Sequence, residues 1–341
     1  MIIDLRSDTV TKPGKEMLNA MFNAQVGDDV FNEDPTVIEL QNKVAKLFQK
    51  EAALFVPSGT MANQLCIKVH TQPADEIICD KTAHVYNFEG GGIAFNSACS
   101  VKLLDGKNGI ASAEQVLEAI NPKDIHHASS KLVCLENTSN KGGGSCYELS
   151  EIEQIAKTCK ENDLKLHLDG ARLFNAIIEK NYSTIDIGRL FDSISICLSK
   201  GLGTPVGSVI TGSNEFITKA KRFRKLFGGA MRQAGYLAAA GIYALDNNIE
   251  RLREDHEHAQ QIVQMLKKQS YIEEILPTET NIIIFKLVKS LNDNDFISKL
   301  AQYNIKVVSF GPQIIRMVTH LDIKSEMMEK IETGLNKISI K

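Results

Sequence analysis

The sequence predicts an α/β protein: a large domain built on a mostly parallel sheet between helices, then a small α+β domain. Two observations predict it. From about residue 50 to 210, short apolar, β-branched runs alternate with longer helical patterns. Those runs lack clean polar alternation, as suits strands buried on both faces. Two of them also end in charge. Leu166-His167-Leu168-Asp169 and Ile196-Cys197-Leu198-Ser199-Lys200 deliver an acid and an amine to strand carboxyl ends, which is where such sheets carry function.

Residues 53–56 form the first strand, followed by Pro57-Ser58-Gly59 and a helix through about residue 70. Residues 76–79 and 131–135 read as further strands, and a helix over about 150–161 precedes the strand ending at Asp169. After Gly207, the run Ser208-Val209-Ile210 has strand character. An apolar helix over 236–245 is interrupted or bent near Asp246-Asn247-Asn248 and continues, more charged, to about 268. That change in composition divides a large domain, 1–248, from a small one, 249–341. In the small domain a strand (281–285), a helix (292–303), two strands (305–308 and 314–318) and an amphipathic helix (324–338) follow in order.

Composition narrows the function classes. The chain has 341 residues, 43% hydrophobic and 24% charged, with a formal net charge of −3. That charge gives no general reason to bind nucleic acid or an anionic membrane. The seven cysteines are odd in number and include no CxxC pair, and Cys79 and Cys134 lie inside apolar runs. They read as small core residues in a reducing compartment, not as a disulfide framework or a zinc site. Charges come too early after Met1 for a secretory signal, and no apolar run approaches the roughly 20 residues of a membrane span. A cytoplasmic protein is expected.

An acid and a lysine at neighbouring strand ends are what a pyridoxal phosphate site requires. The amine forms a Schiff base with the cofactor aldehyde, and the carboxylate keeps the pyridine nitrogen protonated so that the ring accepts electrons. Each residue taken singly also suits an ordinary loop-end charge. Ser58-Gly59-Thr60, between a strand and a helix, offers bare N–H groups and two hydroxyls for a phosphate, or simply an N-cap. Gly201-Leu202-Gly203-Thr204-Pro205-Val206-Gly207 is no dinucleotide loop, because Pro205 stands where the turn would enter a helix. Its glycines suit close approach to Lys200.

His84, before Gly90-Gly91-Gly92, suits stacking on a cofactor ring, proton transfer or helix capping. His126 and His127 are adjacent, so at most one enters a site. The charged run 251–258 reads as a solvated helix face, and His256 and His258 lack the i, i+4 spacing of a helical metal pair; no metal is expected. Arg316, inside the apolar run Ile314-Ile315-Arg316-Met317-Val318, needs an anionic partner. Either a structural carboxylate or the carboxylate of an amino-acid substrate would serve.

Together these segments resemble the low-specificity L-threonine aldolases, pyridoxal phosphate enzymes of the aspartate-aminotransferase-like fold. The resemblance covers nearly the whole chain. It runs through Asp4-Leu5-Arg6-Ser7-Asp8-Thr9-Val10-Thr11, Val26-Gly27-Asp28-Asp29, Asp34-Pro35-Thr36, the Ser58 cup and the His84 segment. It continues through Glu136-Asn137-Thr138, His167-Leu168-Asp169-Gly170-Ala171-Arg172, the Lys200 segment, Gly228-Gly229-Ala230-Met231-Arg232-Gln233 and Arg316-Met317-Val318-Thr319-His320. It implies a seven-stranded sheet, Lys200 as the Schiff-base lysine and Asp169 at the pyridine nitrogen. It further implies Arg172 near the cofactor's phenolic oxygen, Ser58, Gly59 and Thr60 at its phosphate, and His84 stacked on the ring. Ser7 and Arg316 are implied at the substrate carboxylate and His126 near its hydroxyl, with Lys225 and Arg232 lining the site.

The resemblance also implies a homotetramer of dimers with shared sites, cleaving threonine or allo-threonine to glycine and acetaldehyde. The nearest rival is a β-eliminating lyase with the same cofactor. Two departures stand out: Phe31 replaces a common tyrosine, and Ser139, before an unusual Lys141-Gly142-Gly143-Gly144 turn, replaces a common histidine.

Overall fold

The computed structural model describes residues 2–339. Its large sheet has seven strands: β1 (Ala52–Val56), β2 (Asp75–Asp80), β3 (Ser100–Leu104), β4 (Ser129–Glu136), β5 (Lys165–Gly170), β6 (Ser193–Cys197) and β7 (Ser208–Gly212). Their spatial order is β1-β7-β6-β5-β4-β2-β3. Every pairing is parallel except those of β7 with β1 and β6. The expected mostly parallel sheet is therefore present, with one reversed strand. Strands β4 to β7 are almost wholly buried because helices cover both faces, which is why their sequences carry no alternation. Edge strand β3 is largely exposed, and without an apolar run it gave the sequence little strand signal.

The second sheet is antiparallel, ordered β10-β11-β9-β8, from β8 (Ile272–Ile275), β9 (Ile282–Leu287), β10 (Val308–Gly311) and β11 (Ile314–Val318). It packs with the helices Leu252–Lys267, Asp293–Ala301 and Met328–Asn336 around a core that includes Ile262, Phe285, Phe296 and Ile331. Ile3 and Leu5 join this core too, because Ile3–Asp4 pairs in parallel with Ile305–Lys306. The amino-terminal segment thus runs from the small core toward the carboxyl ends of the large sheet. The apolar helix ends at Asn247 and the charged one starts at Leu252, so of the expected interruption or bend it is the interruption that forms.

Candidate active site

Strands β5 and β6 lie side by side in register, Asp169 opposite Ser195. They present Asp169 and Lys200 from the same end of the sheet. Asp169 is buried; its Oδ1 accepts the Ala171 N–H at 3.1 Å, and its Oδ2 accepts from Asn63 Nδ2 at 2.8 Å. Lys200 is half-buried, and its carbonyl accepts the Thr11 hydroxyl at 3.0 Å. Among the described residues its amine joins no ion pair.

The helix Gly59–His70 starts beside these strand ends. Ser58 caps it, its hydroxyl accepting the Met61 N–H at 3.2 Å. A Cβ on Gly59 would lie 2.5 Å from Cys197 Sγ, so only glycine lets the helix start pack this close to β6. Ser58 and Thr60 remain exposed, leaving two hydroxyls at a helix start of the kind that binds phosphate.

One turn into that helix, Asn63 joins two buried carboxylates. Its Nδ2 donates to Asp169 and to Glu89 Oε1, each at 2.8 Å, while Gln64 donates to Glu89 Oε2 at 2.7 Å. Glu89 Oε1 in turn lies 2.9 Å from His84 Nδ1. Burial would lower the His84 pKa, but that hydrogen bond and the charges of Asp169, Glu89 and Glu136 raise it above the ordinary value. Glu136, at the end of β4, takes the backbone N–H of His84 at 2.7 Å and of Asn140 at 2.9 Å. Burial and nearby Asp169 push Glu136 up to about 7.

Arg172 is buried and engages Asp8 through two hydrogen bonds of 2.7 Å. Burial alone would raise the Asp8 pKa; the Arg172 charge and hydrogen bonds dominate and hold it at about 2. Arg316, on β11, meets only neutral acceptors: Asn140 Oδ1 at 2.9 Å and the Arg6 carbonyl at 3.0 Å. Its Nε is buried with no partner among the described residues. The structural-carboxylate reading of Arg316 is thereby excluded among those residues. Burial and the Arg172 charge bring its pKa down to about 10. Ser7 neighbours Arg6, its hydroxyl accepting from the Thr9 hydroxyl at 2.9 Å.

Lys200, Asp169, Arg172, His84, Arg316 and Ser7 thus converge with the Ser58-Gly59-Thr60 cup on one end of the sheet. Three expected residues, all exposed, make no hydrogen bond or ion pair with these side chains among the described residues. His126 is exposed on the loop before β4, whose other end carries Glu136. A strand of that length spans roughly 26 Å, so His126 stands at the opposite edge of the sheet. Lys225 is exposed in the last turn of the helix Asn214–Leu226, while its neighbour Arg224 is buried against Asp29 at 2.7 Å. Arg232 pairs with Asp28 at 2.8 Å and lies over the exposed Phe31 ring. Sequence reasoning missed Asp8, Asn63, Glu89 and Glu136. Glu89, between His84 and three glycines, was the most accessible signal.

Residues 4–289 match the model of the β-eliminating lyase family. The chain is 42% identical over 331 residues to the low specificity L-threonine aldolase of Escherichia coli (strain K12), covering 97% of each. It is 40% identical over 328 residues to low-specificity L-threonine aldolase 1 of Arabidopsis thaliana, covering 94% of this chain and 92% of that one. Among solved structures, the threonine aldolase of Leishmania major superposes with a TM-score of 0.86 over 98% of this chain and 99% of that one, at 21% identity.

Proposed function

Because the chain belongs to the β-eliminating lyase family and, within it, to the low-specificity L-threonine aldolases, we propose that it holds pyridoxal 5'-phosphate and cleaves L-threonine and L-allo-threonine to glycine and acetaldehyde. Other β-hydroxy-α-amino acids fall within the same reading. The observation that carries it is Arg316, a buried guanidinium with neutral partners and an unpaired Nε beside the Asp169–Lys200 strand ends. That is a seat for a substrate carboxylate.

The residues suit the cofactor. Lys200 would hold it through its amine, Asp169 would face its ring nitrogen, and Ser58, Gly59 and Thr60 would take its phosphate. When bound, the cofactor supplies a protonated ring that accepts the electron pair as Cα–Cβ breaks. Arg172, clamped by Asp8, fixes a buried positive charge beside the ring site. Arg316, with Ser7, orients the substrate through its carboxylate. His84 donates its Nδ1 proton to Glu89 and keeps Nε2 free to accept the β-hydroxyl proton, so we place the base there.

A cytoplasmic homotetramer of dimers with shared sites completes the proposal. It is the arrangement in which the exposed His126, Lys225 and Arg232 can reach a substrate. Ile125, beside His126, is 96% exposed and Phe95 is 90% exposed, as residues awaiting a subunit contact would be. The family's own description makes β-elimination the second reading. Purified enzyme should yield glycine and acetaldehyde from threonine, whereas ammonia and pyruvate from a β-substituted amino acid would favour the second. Lys200→Ala should lose both turnover and the absorbance near roughly 420 nm of the bound cofactor; a variant that keeps both overturns the assignment.

A further inference from the structure

The turn after Ser139 places a cation at the edge of the candidate site. Ser139 is buried, its hydroxyl accepting the Gly142 N–H at 3.2 Å and its backbone bridged to Ser145. Gly109 and Gly142 press so closely here that a Cβ on Gly109 would strike the Ser139 hydroxyl, and one on Gly142 the Asn108 carbonyl. Gly143 and Gly144 follow at φ of 75° and 77°, closing a turn that leaves Lys141 at the rim.

The Lys141 amine lies 3.6 Å from the centre of the Phe310 ring and 5.5 Å from that of Phe88, and donates to the Phe310 carbonyl at 3.2 Å. Among the described residues it has no carboxylate partner within ion-pair distance. Arg316 stacks on the same Phe310 ring at 4.6 Å, held by Asn140, the residue before Lys141. At the other end, Phe88 packs against His84 with ring centres 5.7 Å apart. Burial and the Arg316 charge both depress the Lys141 pKa. A like-charged, partly desolvated pair with no anion between them is unfavourable until a ligand brings negative charge. The amine also stands between the group expected to grip the α-carboxylate and the one expected to face the hydroxyl.

We propose that Lys141 is a specificity-determining residue that receives an anionic group on the β-carbon, so that the site favours β-hydroxy-α-amino acids with a second carboxylate. This rests on the aldolase reading above. With 3-hydroxyaspartate, the Cα–Cβ bond breaks, the Cβ–OH becomes the carbonyl of glyoxylate, and the hydroxyl proton balances the one gained by Cα as glycine forms.

The test compares kcat/KM for 3-hydroxyaspartate and threonine in native enzyme, Lys141→Met and Lys141→Arg. The ratio of the two should fall about tenfold in Lys141→Met, the loss of one charge-assisted contact, and be largely kept in Lys141→Arg. Calorimetric binding of malate, a dicarboxylate with no amine to react, should weaken in parallel. An unchanged ratio, or one that falls equally in Lys141→Arg, overturns the role of Lys141 while leaving threonine cleavage standing. Native enzyme that cleaves neither substrate refutes the aldolase reading instead.

Discussion

Replacing Glu89 by glutamine tests which group takes the β-hydroxyl proton. Glu89 Oε1 lies 2.9 Å from His84 Nδ1, and its hydrogen bond and charge oppose the burial that would lower the imidazole pKa. Unit charges at that distance interact by about 1.4 kcal/mol at the dielectric of water and about 6 kcal/mol at an effective dielectric of 20. The Glu89 side chain is fully buried and that of His84 is 33% exposed, so the pair lies between these limits. A base must be neutral to accept a proton, so the acid limb of kcat/KM for threonine cleavage should report the raised His84 value. Without the neighbouring anion the neutral imidazole is favoured, and the limb should move toward acid in Glu89→Gln. Histidine NMR titration of the cofactor-free chain should show the same displacement without turnover. If the His84 resonance moves and the rate limb does not, the proton goes elsewhere and the reasoning fails.

Two further outcomes follow from buried charge and from distance. Asp8→Asn leaves Arg172, 8% exposed, without its carboxylate. Denaturant unfolding should show a loss of about 3–5 kcal/mol. The Asp8 pKa is depressed to about 2 from 3.8, so its contribution is present above the unfolded value and disappears as pH falls toward 2. The variant should flatten that part of the stability curve; an unchanged midpoint contradicts the pairing. For site sharing, His126→Ala and Lys200→Ala chains are mixed under conditions that exchange subunits. The mixture should recover up to about a quarter of native turnover, because about half the pairs are hybrid and one of the two sites in each regains both groups. Mixtures as inactive as their parents exclude a shared site.

The large sheet was legible because β4 to β7 are buried on both faces, and continuous apolar runs announce that. Asp169 and Lys200 were legible for the same reason: a charge closing such a run must sit at a strand end. The exposed edge strand Ser100–Leu104 carries no such run and escaped notice. Asp8 was illegible for a different reason. Its partner Arg172 is brought to it by Ile3–Asp4 pairing with Ile305–Lys306, a contact across almost the whole chain that no local pattern encodes. Asn63 lay within an unremarkable helical run, and its role exists only because Asp169 and Glu89 approach it from two other elements.

Asn63 also links the site to buried histidines beyond it. Two carboxylates can only accept, so both of its Nδ2 hydrogens point to them and Oδ1 must turn inward. There Oδ1 accepts from Ser195 Oγ at 2.7 Å and faces His167 Nε2 at 3.2 Å. His167 Nδ1 meets the Ser193 carbonyl at 3.2 Å and the Ser193 hydroxyl at 3.0 Å, and that hydroxyl lies 2.9 Å from His70 Nε2. His167 and His70 are held neutral here. Burial keeps them so: it drives His167 to about 4, against the pull of Asp169, and His70 to about 3. His84 differs from them because it alone among the three bonds a carboxylate directly. Burial locks two of the histidines neutral; at the third, the Glu89 hydrogen bond and the surrounding carboxylates outweigh it and favour the charged ring.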